Sequence, residues 1–247
     1  MFYGHKITVI IPALNEEEAL PKVIDDIPKD IVDEIIVVDN GSLDNTISVA
    51  EKCGAKVVIE KKRGYGAACL KGLASLKNTD IVVILDADYS DYPGQIERLL
   101  APIVKKDADF VIGSRIFGKR QRDALLPAAY WGNKLTTFLI WLLFRFKFSD
   151  MGPFRAIRYD CLKRLEMEDK NWGWNVEMQV KALKAKLRIK EVGVDYRKRI
   201  GKSKISGTLS GVIKAGLKII YSVFKYSIGS KGESFGCKKL KAEYAEI

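Results

Sequence analysis

Apolar and polar positions alternate along this chain in blocks. Short apolar runs rich in β-branched residues occur at 7–11 (Ile-Thr-Val-Ile-Ile), 35–38, 57–59, 81–85 and 110–112. They read as strands, and the unbroken run at 81–85 as one buried on both faces. Between them the pattern predicts helices from about 17 to 27, from a cap at Asp44 to about 52, from just after Gly66 to about 76, and from Pro93 to about 104. Strand alternating with helix at spacings of roughly 20–30 residues specifies an α/β fold, a doubly wound and mainly parallel sheet with right-handed crossovers.

The second half changes character. Lys119-Arg-Gln-Arg122 is a basic loop, and residues 133–146 form an apolar, aromatic helix. Asp150-Met-Gly-Pro-Phe-Arg155-Ala-Ile-Arg158 reads as a turn plus strand. Trp172-Gly-Trp174-Asn-Val-Glu177 opens a helix running to about 185. A strand is predicted at 189–196, leading into a basic run over 197–204. Residues 209–228 are apolar nearly all round, with lysines at 214, 218 and 225, and a polar tail begins at Gly229. The expected division is therefore 1–207, a catalytic α/β unit; 208–228, an amphipathic helix; and 229–247, a tail.

Composition narrows the chemistry. Of 247 residues 47% are hydrophobic and 30% charged, which suits a packed core and argues against disorder. The net charge of +11 implies attraction to phosphates, on nucleotides, nucleic acid or lipid headgroups. Cys53, Cys69, Cys161 and Cys237 show no C-x-x-C pairing and read as reduced thiols of a cytosolic protein. His5 is the sole histidine, which argues against a zinc site, a Cys–His pair and a Ser–His–Asp triad. Met1–Lys6 leads straight into a strand, so no signal peptide is expected. No run reaches the ~18–20 apolar residues of a membrane-spanning helix.

Each strand ends in polar, Gly-rich sequence, so the loops should converge on one edge of the sheet, where open α/β sheets bind ligands. The central one is Asp86-Ala87-Asp88 after the run at 81–85. Two carboxylates with no base between them repel unless a cation sits there, and a divalent, oxygen-preferring ion such as Mg²⁺ or Mn²⁺ is the natural partner. The plainer alternative is that Asp88, Ser90 or Asp91 caps the helix beginning near Pro93.

A set of motifs in a fixed order resembles the inverting, GT-A-type nucleotide-sugar glycosyltransferases of family 2. They are Pro12–Glu16, Asp39-x-Gly41-Ser-x-Asp44, Arg63-Gly-x-Gly66, Asp86-x-Asp88, Gly113-Ser-Arg115, Asp150-x-Gly-Pro-Phe-Arg155 and Arg199-x-Gly-x-Ser203-Lys204. The match spans about 6–205 and is similar above all to the dolichyl- and polyprenyl-phosphate sugar synthases. It departs from that branch in Gly-Pro-Phe-Arg, where the branch usually has Ser-Gly-Phe-Arg, and in lacking C-terminal membrane-spanning helices.

The resemblance implies a GT-A (Rossmann-like) fold and a nucleoside diphosphate sugar donor, UDP mildly preferred over GDP. It places Pro12, Ala13, Asn15, Glu16, Asp39, Gly41, Arg63, Gly66, Asp86, Ala87, Asp88, Ser203 and Lys204 on the donor, with Asp39 at the base, Glu16 at the ribose, and Asp86 and Asp88 at the metal. The glycines around Arg63 would let the backbone approach a ligand. Arg199, Ser203 and Lys204 would form a lid over the pyrophosphate. For the acceptor it points to Arg115, Lys134 and Arg155. A lipid phosphate needs no base; a hydroxyl does, and Asp150 and Glu177 are the candidates.

Helices 133–146 and 209–228, with the positive charge, fit the cytoplasmic face of an anionic membrane; the alternative is packing on the core or in a homo-oligomer. A sugar nucleotidyltransferase would carry a Gly-rich, Arg-containing loop where this chain has Pro-Ala-Leu-Asn-Glu. A nucleic-acid module finds no supporting motif.

Overall fold

The computed structural model describes residues 1–201 and 209–228, the side chains of 209–215 excepted. The strands are β1 (Ile7–Ala13), β2 (Glu34–Asp39), β3 (Lys56–Ile59), β4 (Ile81–Ile84), β5 (Phe110–Ser114), β6 (Arg155–Arg158) and β7 (Ile189–Gly193). The helices are α1 (Leu20–Asp25), α2 (Thr46–Lys52), α3 (Tyr65–Ala74), α4 (Ile96–Val104), α5 (Pro127–Phe144), α6 (Tyr159–Leu165), α7 (Trp174–Lys184) and α8 (Leu209–Ile228). One sheet runs in the order β3-β2-β1-β4-β6-β5-β7. All neighbours are parallel except β6, which is antiparallel to both β4 and β5. This is the expected mainly parallel, GT-A-type sheet flanked by helices.

The pleat sends alternate strand residues to two cores. Ile7, Val9 and Ile11 of β1 join Leu20, Val23 and Ile24 of α1 and Ile96, Leu99 and Leu100 of α4. Ile10, Val82, Ile84 and Phe110 face the other way, onto Cys69 of α3, Leu162 of α6 and Trp174 and Met178 of α7. Every residue of β1 and β4 is buried, which is why their sequences are continuous apolar runs rather than alternating ones.

The structure corrects several boundaries. α1 starts at Leu20, not near 17, because Asn15 takes a left-handed backbone (φ 51°) and the next residues turn before the helix begins. α5 starts earlier, at Pro127, a residue that fits the first helical turn, and stops at Arg145 in a left-handed conformation. The pattern missed α6. The last strand ends at Gly193 rather than 196. α8 packs on α5 and α7 and so is built onto the fold rather than standing off it. Among the described residues no helix is long and apolar enough to cross a membrane.

Candidate active site

The chain moves outward from β1 through β2 to β3, then returns across β1 to β4. β1 and β4 are therefore neighbours whose following loops part in opposite directions, which opens a crevice at their C-terminal ends. A cleft of about 370 Å³ lies there. Its lining includes Pro12, Ala13, Leu14 and Glu16 after β1, Asn40 after β2, Arg63, Gly64 and Tyr65 at the start of α3, and Asp86, Ala87 and Asp88 after β4. Asn171, Trp172 and Arg199 close it from the second half of the chain.

Asp86 and Asp88 stand at its floor. The Tyr65 hydroxyl donates to Asp86 Oδ1 (3.0 Å). Burial first, and the neighbouring Asp88 charge second, raise the Asp86 carboxyl to about 6. Asp88 Oδ1 accepts the Ser90 N–H (2.9 Å) and hydroxyl (2.5 Å), and Asp88 Oδ2 pairs with Arg199 Nη2 at 2.6 Å. Asp91 lies close by with both carboxyl oxygens buried and without a hydrogen-bond partner. Burial, then the charges of Asp86 and Asp88, push its carboxyl well up. Negative groups crowd this corner, and the oxygen donors suit a hard divalent cation. Among the described residues no third carboxylate, histidine or thiol joins the pair in metal-binding geometry. A diphosphate and water could supply further oxygen ligands.

The segment carrying Arg199 is fastened to the Asp88 loop rather than free. The Ile200 N–H donates to the Asp88 carbonyl and the Arg197 N–H to the Ser90 carbonyl, both at 2.9 Å. The Arg197 guanidinium lies over the Tyr89 and Tyr92 rings, bonds the Tyr89 carbonyl and pairs with Asp26. Ser203 and Lys204, predicted for the same lid, fall outside the described residues.

The donor wall is cross-braced. Asn40 donates to the carbonyls of Glu60 (3.0 Å) and Lys62 (2.8 Å) and accepts from the Gly64 N–H (2.8 Å), which sets the loop carrying Arg63. Asp39 is buried behind it; Oδ2 accepts the N–H groups of Gly41 and Ser42, while Oδ1 shares only the Ser42 N–H and keeps a further lone pair. Gly41, at φ +83°, sits against the Arg63 guanidinium. Asn15 faces away from the cleft: its Oδ1 accepts from Leu43 and its N–H donates to Ser42. The cap of α2 is Asn45, without a side-chain hydrogen bond, rather than the expected Asp44, which accepts the Thr46 N–H and hydroxyl from one residue further out.

Asn40, Tyr65, Asn171 and Trp172 line the cleft although sequence reasoning passed them over. Tyr65 occupied the variable place inside Arg63-Gly-x-Gly66. Asn171 and Trp172 are remote in sequence and reach the cleft only because the 169–171 backbone packs on α3. That packing also corrects the reading of the glycines: a Cβ at Gly64 would strike the Lys170 carbonyl, and one at Gly66 the Asp169 carbonyl. They admit this loop, and the Lys170 carbonyl already accepts the Ala67 N–H in the first turn of α3.

A family model described as glycosyl transferase family 2 matches residues 8–165. The chain belongs to this family. It is a glycosyltransferase, similar at 38% identity over 216 residues, 86% of this chain and 95% of the relative, to an uncharacterized glycosyltransferase of Mycobacterium tuberculosis. A UDP-N-acetylglucosamine–dolichyl-phosphate N-acetylglucosaminyltransferase of Methanococcus voltae is 30% identical over 211 residues, covering 76% of this chain and 84% of that one. Among solved structures, glucosyl-3-phosphoglycerate synthase of M. tuberculosis, in complex with Mn²⁺, UDP and glucosyl-3-phosphoglycerate, shares the fold. The TM-score is 0.73 at 22% identity, over 91% of this chain and 80% of that one.

In this glycosyltransferase none of the residues expected at the acceptor is among those lining the cleft, and two of them are engaged in the fold. Arg155 is fully buried, and its guanidinium bonds the carbonyls of Met151, Gly152 and Asn175, with the charges of Asp150 and Asp86 acting on it from a distance. Burial lowers it to about 10. Arg115 is locked in a two-point pair with Asp150, at 2.7 Å on each side, and lies over the Tyr196 ring. Lys134 is exposed on α5, over the Tyr130 ring and outside the cleft.

The two base candidates are engaged as well. Asp150 is fully buried and also accepts the backbone N–H groups of Arg115 and Met151. Burial would raise its carboxyl, but the Arg115 charge and these hydrogen bonds hold it below the usual range. Glu177, fully buried, accepts the N–H groups of Glu168 and Asp169 and pairs with Lys181 at 2.7 Å. It anchors the loop that carries Asn171 and Trp172. Asp169 extends the same anchor to α8 through Lys218 (2.9 Å).

Among the described residues, large exposed apolar side chains concentrate on α5 and α8. On α5 Trp131, Leu135, Phe138 and Leu142 are exposed, and on α8 Leu217, Tyr221, Phe224 and Ile228. Both sets follow helical spacing, so each helix turns one large apolar stripe outward.

Proposed function

We propose that the chain is an inverting, Mg²⁺- or Mn²⁺-dependent transferase that moves a hexose from a UDP-sugar onto a phosphate-bearing acceptor. One observation supports it best: two carboxylates, Asp86 and Asp88, stand together in a switch-point cleft, while Asp150 and Glu177, the candidate bases, are tied into the fold. A nucleophile that arrives already ionised, a phosphate oxygen, needs no base.

In this reading the metal, when bound, offsets charge building on the leaving diphosphate, with Asp88 and Asp86 as its protein ligands. The other residues bind and orient. Glu16 takes the ribose hydroxyls and Asp39 a base N–H, each from a loop at the rim of the sheet. Arg63 and Arg199, with Ser203 and Lys204, meet the phosphates as donors. Trp172 offers an apolar wall that excludes water beside Asp86. UDP is preferred because the named M. voltae relative uses a UDP-sugar. The catalytic unit is residues 1–207, with α8 built onto it.

For the acceptor, polyprenyl phosphate draws support from that relative's name and from the outward stripes of α5 and α8, which suit the surface of an anionic membrane given the charge of +11. A soluble or glycan hydroxyl acceptor is the second reading, and there a carboxylate must take the hydroxyl proton. It draws support from the glucosyl-3-phosphoglycerate bound by the structural neighbour.

The test is transfer of label from UDP-[¹⁴C]sugars, with Mn²⁺, into an organic phase with polyprenyl phosphate or into a water-soluble anionic product with phosphorylated small molecules. Metal-dependent label in the organic phase supports the lipid reading. Label only in the soluble product supports the second. Absence of both, with several UDP- and GDP-sugars tried, contradicts the proposal.

A further inference from the structure

We propose that Arg199 and the divalent metal compete for one oxygen of Asp88, so that the metal enters together with the diphosphate as Arg199 passes from carboxylate to phosphate. This rests on the metal-dependent reading above and assigns its order of assembly.

The geometry carries the argument. Asp88 Oδ1 is occupied by the N–H and hydroxyl of Ser90. Oδ2 is the oxygen left to face the cleft, and Arg199 Nη2 holds it at 2.6 Å. A metal at Asp88 needs the same oxygen. The guanidinium is only partly satisfied where it stands, because its Nε is buried without a partner. An arginine held by one charged contact and leaving a donor unpaired is poised to move to an acceptor with more oxygens, and a diphosphate is such an acceptor.

The backbone need not move with it. Ile200 and Arg197 are hydrogen-bonded to the carbonyls of Asp88 and Ser90, and the Arg197 side chain is seated over Tyr89. The exchange is therefore a side-chain event on a fixed strap.

Two consequences follow for binding. A bare metal ion must displace a cation in contact with its own ligand and leave it unpaired, so it binds weakly. A nucleoside diphosphate gives that cation a new partner, so metal and nucleotide each strengthen the other, and the coupling is reciprocal.

The experiment is a Mn²⁺ titration read by the electron paramagnetic resonance signal of free Mn²⁺, with and without UDP, on the full chain. In the unaltered protein UDP tightens Mn²⁺ by about tenfold or more. In Arg199→Gln, Mn²⁺ alone binds about tenfold more tightly than to the unaltered protein, and the strengthening by UDP shrinks by about the same factor, leaving the part that comes from the diphosphate's own oxygens on the metal. Arg199→Lys keeps a cation on Asp88 and retains weak binding of Mn²⁺ alone. Far-UV circular dichroism checks that the variants fold.

Unchanged Mn²⁺ affinity in Arg199→Gln without UDP overturns the competition, as does undiminished coupling, even if the transferase reading stands. An unaltered protein that binds neither Mn²⁺ nor UDP overturns both.

Discussion

Gly66 lies directly against the carbonyl oxygen of Asp169, with no room for a Cβ between them. The contact joins the start of α3, which carries one wall of the cleft, to the loop that brings Asn171 and Trp172 to the other. Gly66→Ala must push that loop outward. Overpacking of this kind costs about 1–3 kcal/mol. We expect a matching fall in urea stability and at least about a tenfold loss in UDP affinity by calorimetry. A variant that loses stability but keeps its UDP affinity would separate this contact from the site.

Asp150 and Arg115 form a buried pair rather than a base and an acceptor clamp. Removing one partner of such a pair typically costs about 3–5 kcal/mol, because the other charge is left uncompensated. Asp150→Asn should therefore lower urea stability by about 3 kcal/mol, and Arg115→Met on top of it should restore much of the loss. If Asp150→Asn instead keeps its stability and loses only turnover, Asp150 acts in the chemistry.

Asp109 clamps three strands where β5 begins. It accepts from the Arg188 backbone and guanidinium and pairs with Arg158 at 3.3 Å. Burial would raise its carboxyl, but the Arg188 hydrogen bonds and charge hold it below its ordinary 3.8. A depressed carboxyl stabilises the folded state above its unfolded value and loses that contribution as pH falls through its folded value. With Arg188 half exposed, Asp109→Asn should cost about 1–2 kcal/mol at pH 7. The gap between variant and parent should begin to close below about pH 4 and vanish at lower pH. Denaturant titrations at several pH values read this directly; a gap that persists unchanged at pH 2 would refute the assignment.

The stripes of α5 and α8 make a separate expectation. Full burial of a large apolar side chain contributes about 1.5–3 kcal/mol. Replacing Leu135, Phe138, Leu217 and Tyr221 together with serine should weaken binding to phosphatidylglycerol vesicles by more than about a hundredfold. UDP affinity should not change. If the parent protein ignores vesicles but sediments as a dimer that the variant cannot form, the stripes are an interface between copies.

The strands and most helices were legible in the sequence because β1, β2, β4 and β5 are buried on both faces, and two-sided burial writes itself as unbroken apolar runs. The antiparallel direction of β6 was not legible, since a strand's sequence does not record which way it runs. The Asp86–Asp88 pair could be read for the same reason as the fold: it directly follows the most apolar run. Arg199 could be read from its motif, but its partner could not, because Asp88 is far away in the chain. The partners of the acceptor residues were hidden from the sequence for another reason. Arg155 and Glu177 carry charges that sequence reasoning sends to a ligand, while burial gives them main-chain partners. Gly64 and Gly66 looked like room for a phosphate and turned out to be room for another loop.

Equilibrium dialysis of radiolabelled UDP against the unaltered chain and Asp88→Asn, with and without Mn²⁺, asks whether metal and donor meet at Asp88. Saturable binding that Mn²⁺ strengthens in the unaltered chain and leaves unchanged in Asp88→Asn is the expected result. UDP binding indifferent to Mn²⁺, or equally strengthened by it in Asp88→Asn, would contradict the placing of the metal and the donor at Asp88.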